Sequence, residues 1–391
     1  MRDHQCRAVW MVMLGWLLGW LLGWGWQAMP AVAVEAESDG SFLLYAPSGT
    51  EQRLLVVRAR PAPRGGTGDQ KTGDKNTATL EIVRTLGLGF PAGRITDHPT
   101  LPLLYVSGEG RAGGPNAAVV PLDAVGMPQE PQPLALDHSY SYLSTDRSGR
   151  FLLGCHHLSG AIDVFPLDAA GVPGKRVHGL DEGRKHAHCV LPSPDNRSVY
   201  IPYVKETNAL YQYAFDAATG GLSPLEPKDV GPPADSGPRH LVYHPRLPLI
   251  YFSEEQGLGV SAYRRAEDGR LSLWHRARAV PADAPSSGVS SSDIVITPDG
   301  RHLYAGIRGH SHAYDFIACY AVGDDGRLAP RGLVPADKIP WGMTLSPDGR
   351  FLAVTGFESA TLMLYAIDAD GGLTRAATLP VDKQISDIIA R

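Results

Sequence analysis

The chain has 391 residues, 43% hydrophobic and 8% aromatic, with a formal net charge of −5. That length buries a large core within one all-β domain, and the mild charge without a lysine–arginine stripe excludes a nucleic-acid partner. Its 44 Gly and 32 Pro follow no regular period, which speaks for many turns and against a collagen-like or disordered chain.

Residues 1–36 read as a separate leader. Arg2 and Arg7 precede an apolar run from Ala8 to Met29, and Pro30 leads into Ala31-Val32-Ala33, a small-residue cleavage pattern. The run exceeds an ordinary signal-peptide core and reaches the ~20 residues that span a bilayer. Gly15, Gly19 and Gly23, four apart, suit helix packing in a membrane. The expectation is a signal peptide cleaved shortly after Ala33, with an uncleaved membrane tether through residues 8–29 as the alternative. Either way residues 37–391 are expected outside the cytoplasm, periplasmic or secreted. Beyond the leader stand Cys155, Cys189 and Cys319, an odd set without metal-ligand spacing that reads as buried small hydrophobes.

From Ser41 onward a turn followed by an apolar strand recurs about every fifty residues. After Leu43-Leu44-Tyr45, His98-Pro99 precedes Leu103–Val106, and Arg147-Ser148-Gly149 precedes Phe151–Leu153. Pro194-Asp195-Asn196, His244-Pro245, Pro298-Asp299-Gly300 and Pro347-Asp348-Gly349 introduce the later copies. Each copy adds a second strand and a turn, as in Val260–Tyr263 before Glu267-Asp268-Gly269. Seven copies without a sustained helical period predict an all-β, seven-bladed propeller. The first copy lacks an inner strand, and Ser386–Ala390 is free to supply it, so one blade is expected to close from both termini. Pro61–Asn76, polar and glycine-rich, reads as a mobile surface loop.

Blade order places the residues just before an inner strand, and those just after the second strand, around one mouth of the central channel. That set contains His186, His188, Arg239 and His240, then His156-His157, Lys205-Glu206, Glu254-Glu255, Arg308, His310, His312 and Glu358. The opposite turns offer mainly Pro, Asp, Asn and Gly. Spacing of two in His186/His188 and His310/His312 aligns side chains if both pairs lie in strands, but no carboxylate or cysteine completes a metal-ligand set. No Gly-x-Ser-x-Gly nucleophile motif is present. No metal or other cofactor is therefore expected.

The same residues carry a family resemblance. Gly237-Pro238-Arg239-His240 with Val242-Tyr243-His244-Pro245, Glu255, the string Asp293-Ile294-Val295-Ile296-Thr297-Pro298-Asp299-Gly300, and Arg308 resemble the lactonase-type seven-bladed propellers. That family includes 6-phosphogluconolactonase-like enzymes and carboxymuconate-cyclising ones. The resemblance runs from about residue 40 to the C-terminus and implies a catalytic set of His188, Arg239, Glu255 and Arg308. The chain departs from the family pattern at Tyr142, His157 and Gly356-Phe357.

Lactone hydrolysis requires a base for water, donors for the developing oxyanion and a handle for the substrate. Glu255 or His188 suits the base. Arg239 and Arg308 suit the carbonyl or an anionic group, and His186, Lys205 and His240 are the expected substrate contacts. The expected partner is a small anionic, sugar-type lactone. The alternatives are a non-catalytic propeller that binds a protein or glycan at the same rim, and a lactone-forming cycloisomerase that uses similar groups. Retention of all four of His188, Arg239, Glu255 and Arg308 favours an enzyme.

Overall fold

The computed structural model describes residues 40–62, 77–108, 114–285 and 287–391. The leader and most of the Pro61–Asn76 stretch lie outside the described residues.

Seven four-stranded antiparallel sheets form the blades. Six are built from consecutive strands, such as Pro238–Tyr243, Leu249–Glu254, Val260–Arg265 and Leu271–Ala277. The seventh is made from both ends of the chain. Ile389–Ala390 supplies the inner strand beside Phe42–Ser48, with Tyr45 opposite Ile389 and Leu44 opposite Ala390, and paired hydrogen bonds join Leu43 and Arg391. The expected closure is present, so the terminal segment covers the inner edge that Phe42–Ser48 would otherwise expose. Among the described residues no helix is long and apolar enough to cross a membrane.

Apolar residues on both faces of the middle strands pack between neighbouring blades, as in the cluster of Leu249, Tyr251, Ala262, Leu303, Ala305 and Ala318. A recurrent tyrosine ties the blades together. Tyr45, Tyr105, Tyr200, Tyr251 and Tyr304, each in the second strand of its blade, donate to the carbonyl of a turn glycine in the next: Gly126, Gly171, Gly269, Gly326 and Gly371. Each bond satisfies a buried hydroxyl and contributes about 1 kcal/mol. Cys155, Cys189 and Cys319 are free and buried, as expected.

Most of the inner strands carry an irregularity that positions the site. In Pro238–Tyr243 the register steps from Pro238 opposite Glu254 to Leu241 opposite Phe252, so Arg239 and His240 together face one residue. The same two-against-one step occurs at Ser292-Asp293 and at Trp341-Gly342, and related steps occur at Gly93 and at His188-Cys189. A bulge of this kind breaks the up–down alternation of a strand and re-aims its side chains. In the three blades with the two-against-one step it turns two consecutive residues toward the channel.

Candidate active site

Arg239, Glu255 and Arg308 meet as one buried cluster. Arg239 Nε donates to Glu255 Oε2 at 2.9 Å, and Arg308 Nη2 donates to the same oxygen at 3.3 Å and to the Ser291 carbonyl at 2.6 Å. Gln256 Nε2 donates to Glu255 Oε1 at 3.2 Å. Glu255 therefore joins its own blade to the next, helped by the Ser291 amide donating to the Glu255 carbonyl. The guanidinium of Arg308 lies 4.4 Å from the centre of the Trp341 ring, and that of Arg239 lies 5.8 Å from it. Trp341 in turn packs on Phe357, so one wall of the cluster is aromatic.

Burial was not legible in the rim position. Arg239 is fully buried, and Arg308, Glu255 and His188 are 3%, 8% and 7% exposed. Burial disfavours the charge on both arginines. Arg308 is pushed down to about 9 by burial and by the neighbouring Arg239, and Arg239 is lowered chiefly by burial. Burial also opposes ionisation of Glu255, but Arg239 and Arg308 outweigh it and hold the carboxyl below its usual range. Two cations share one carboxylate, so the cluster keeps a single net positive charge. Arg239 Nη1 and Nη2 and Arg308 Nε are buried donors with no protein partner, and such groups are costly unless something accepts from them.

His188 reaches this cluster from the preceding blade. Its ring packs edge-on against His157 and His240, with centroids 5.3 and 5.1 Å apart. Burial, then the Arg239 charge, depress it well below 6.5. At neutral pH it is a neutral imidazole whose Nδ1 has no protein partner.

The expected substrate contacts divide. His186 stands at the mouth, with its Nε2 2.9 Å from Glu206 Oε1 and its Nδ1 3.1 Å from His157 Nε2. Its backbone is left-handed, φ 73°, so the same-face rule for spacing two fails for His186 and His188. Lys205 is exposed beside it. His240 is a correction: it lies below the rim. Its Nδ1 is 2.8 Å from Asp293 Oδ1, and it lines a cavity of about 620 Å³ that occupies the channel toward the opposite face. His310 and His312 do not converge either, since one pairs with Ser290 Oγ and the other with the Ser287 carbonyl. No cluster of three or more His, Cys, Asp or Glu able to hold a metal occurs among the described residues.

A charged layer beneath the cluster escaped sequence reasoning. Asp293 Oδ2 accepts from the Met343 amide and Asp387 Oδ2 from the Ile95 amide, each carboxylate bridging to the next blade. Arg94 joins the layer through the Ser386 carbonyl at 2.8 Å. The signal was available in the tripeptide Ser-Asp-Ile, which stands at 292–294 and again at 386–388.

Three comparisons bear on this geometry. The profile of the family described as "Lactonase, 7-bladed beta-propeller" matches residues 73–385. A 6-phosphogluconolactonase of Cronobacter sakazakii is 34% identical over 241 residues, covering 61% of this chain and 69% of that protein. One from Yersinia enterocolitica is 29% identical over 315 residues, covering 79% and 90%. Among solved structures, a periplasmic gluconolactonase of Pseudomonas aeruginosa superposes with a TM-score of 0.75 over 90% of this chain and 99% of its own, at 21% identity. That likeness concerns the fold.

Proposed function

This chain belongs to the lactonase family of seven-bladed β-propellers, and we propose that it is a hydrolase of sugar-type lactones acting at the Arg239–Glu255–Arg308–His188 cluster. One observation carries the reading: three buried guanidinium nitrogens without a protein partner stand beside a neutral imidazole. A tetrahedral oxyanion supplies the acceptor those donors lack, and its single negative charge matches the single net positive charge of the cluster.

The division of labour follows from the electrostatics. Glu255, whose two oxygens already accept from Arg239, Arg308 and Gln256, serves to position the arginines, whereas His188 Nδ1 is unengaged. His188, neutral at pH 7, is the base. It takes a proton from water as the oxygen attacks the lactone carbonyl. Arg239 and Arg308 hold the carbonyl oxygen as it becomes an oxyanion; on collapse the ring oxygen leaves as the hydroxyl of the hydroxy-acid, taking the proton that remained on the attacking oxygen, so that the proton held by His188 is the one released. Trp341, packed between Phe357 and the Arg308 guanidinium, holds that guanidinium in place. Lys205, exposed at the mouth, supports a substrate bearing an anionic substituent, such as the 6-phosphogluconolactone that names the curated relatives.

The leader supports export of the domain, processed after Ala33 or retained as a tether. Assay of the purified domain against phosphorylated and unphosphorylated aldonolactones, with spontaneous hydrolysis subtracted, tests the activity. Turnover abolished by Arg239→Ala is the expected result; no acceleration of any aldonolactone would overturn it.

A further inference from the structure

Four imidazoles run in contact from the surface to the middle of the channel. Glu206, exposed, stands 2.9 Å from His186 Nε2; His186 Nδ1 is 3.1 Å from His157 Nε2; His157 packs on His188, and His188 on His240. The reaction at His188 makes use of one of them. We propose that Glu206, His186 and His157 form a proton relay between the buried His188 and the surface.

The hydrogen-bond order defines the direction of each ring. A carboxylate only accepts, so His186 Nε2 carries a proton toward Glu206. His186 Nδ1 is then an acceptor, which puts a proton on His157 Nε2 and leaves a lone pair on His157 Nδ1. That nitrogen is buried and has no protein partner, as is His188 Nδ1 in the neighbouring ring. The chain is thus an alternating series of acceptors and donors, open at its inner end and closed by a carboxylate at the outer end.

Local backbone geometry supports a built arrangement. His186 adopts a left-handed conformation, φ 73°, which is unfavourable for a residue with a Cβ. Its amide donates to the His157 carbonyl at 2.7 Å and its carbonyl accepts from the Val204 amide. Main chain and ring together bind His186 to His157. The groups that face His157 are His186, Lys205, Glu255, Arg239 and His188; burial first, then His186, Lys205 and Arg239, lower it to about 4 against the opposing pull of Glu255. The ring passes a proton on without storing one.

The balance is simple. A lactone and water yield a hydroxycarboxylate and one proton. With substrate seated over a site whose four groups are all less than a tenth exposed, that proton leaves along the rings. It arrives at His157 Nδ1, the Nε2 proton passes to His186 Nδ1, the His186 Nε2 proton passes to Glu206, and Glu206 releases it to solvent. No hydrogen bond joins His157 to His188 directly, so a water or substrate hydroxyl spans that step.

The proposal rests on the hydrolase reading above, and the test separates the two. His157→Gln and His186→Asn are compared with the wild type in steady state over a series of concentrations of a small imidazole buffer, with thermal melts run alongside. Asn is chosen at 186 because it tolerates the left-handed backbone. The wild-type kcat should not depend on buffer concentration. Both variants should lose roughly tenfold in kcat at low buffer, less than the ~10²-fold expected for loss of the base itself, with KM unchanged and the rate restored as imidazole rises. Variants that turn over like the wild type, or that are slowed without rescue by imidazole, would overturn the relay and leave the hydrolase reading standing. A folded wild type without turnover would overturn both.

Discussion

Glu255→Gln separates a positioning carboxylate from a catalytic base. The change keeps the side-chain shape and one acceptor oxygen but removes the charge opposite Arg239 and Arg308, which are 0% and 3% exposed. Removing one partner of a buried ion pair costs about 3–5 kcal/mol, because the remaining charge is left uncompensated. Gln still accepts a hydrogen bond, so the lower end, about 3 kcal/mol, applies. With an unfolding entropy near 2.1 cal/mol/K per residue, a domain of roughly 350 residues should melt about 4 °C lower. The pH dependence carries a sign. Glu255 titrates below 4.5 in the folded protein, so its stabilisation is present above pH 4.5 and is lost as pH falls through the lower folded value. The gap between wild type and variant should therefore close on acidification below 4.5. Turnover should fall because the arginines are no longer held, while the acid limb of the pH–rate profile, set by His188, should persist. Melting curves across pH and a pH–rate profile on the same preparations decide the matter. An unchanged melting temperature together with a lost acid limb would make Glu255 the base and refute this assignment.

Further outcomes follow from other parts of the structure. His188→Gln should lower kcat by about 10²–10⁴-fold, with a smaller effect on KM, if the imidazole is the base; stopped-flow measurement of single turnovers checks that chemistry is the step affected. Stability should fall between pH 6.5 and 4, because His157 and His240, each lowered to about 4, and His188, lowered well below 6.5, bind protons on unfolding in that window. Asp387, raised to about 6 by burial, opposes this by one proton. A single histidine of this kind contributes a slope of about 1 kcal/mol per pH unit, so His240→Asn should flatten the fall by about that much, as read by denaturant titration. Gly342→Ala should destabilise the domain by about 1–3 kcal/mol, since a Cβ there would lie 2.8 Å from the Asp387 Cα; differential scanning calorimetry measures it.

The repeat, the blade number and the closing strand were legible because each rests on periodic apolar strands and turn residues, which the sequence displays directly. Convergence of Arg239, Glu255 and Arg308 was legible for the same reason: blade order assigns each to one end of the channel. Burial and depth were not. Strand alternation puts Arg239 and His240 on opposite faces, whereas the bulge opposite Ser253 directs both toward the channel at different depths. A bulge is a matter of register between strands and has no residue signature of its own in this chain. His186 escaped in the same way, since its left-handed backbone cancels the spacing rule that linked it to His188. Trp341 passed unnoticed because an aromatic beside Gly reads as ordinary core until the guanidinium groups are seen against its ring.

Closure of the ring and support of the site come from the same few residues. The final strand contributes Ile389 and Ala390 to the first blade, but the residues just before it reach into the channel. The Ser386 carbonyl accepts from Arg94, and Asp387 accepts from the Ile95 and Ile388 amides. Asp293 repeats that arrangement two blades earlier, where it also holds His240 against His188. Inner strands of neighbouring blades share no ladder hydrogen bonds, so these carboxylates do locally what a ladder does within a sheet. Loosening the terminal strand would free Arg94 from the Ser386 carbonyl, and Arg94 contributes to the field felt at His188 and Arg239 in the layer above. The packing of the C-terminal strand thereby contributes, after burial and the nearer Arg239 and His240, to the electrostatics of a base drawn from the middle of the chain.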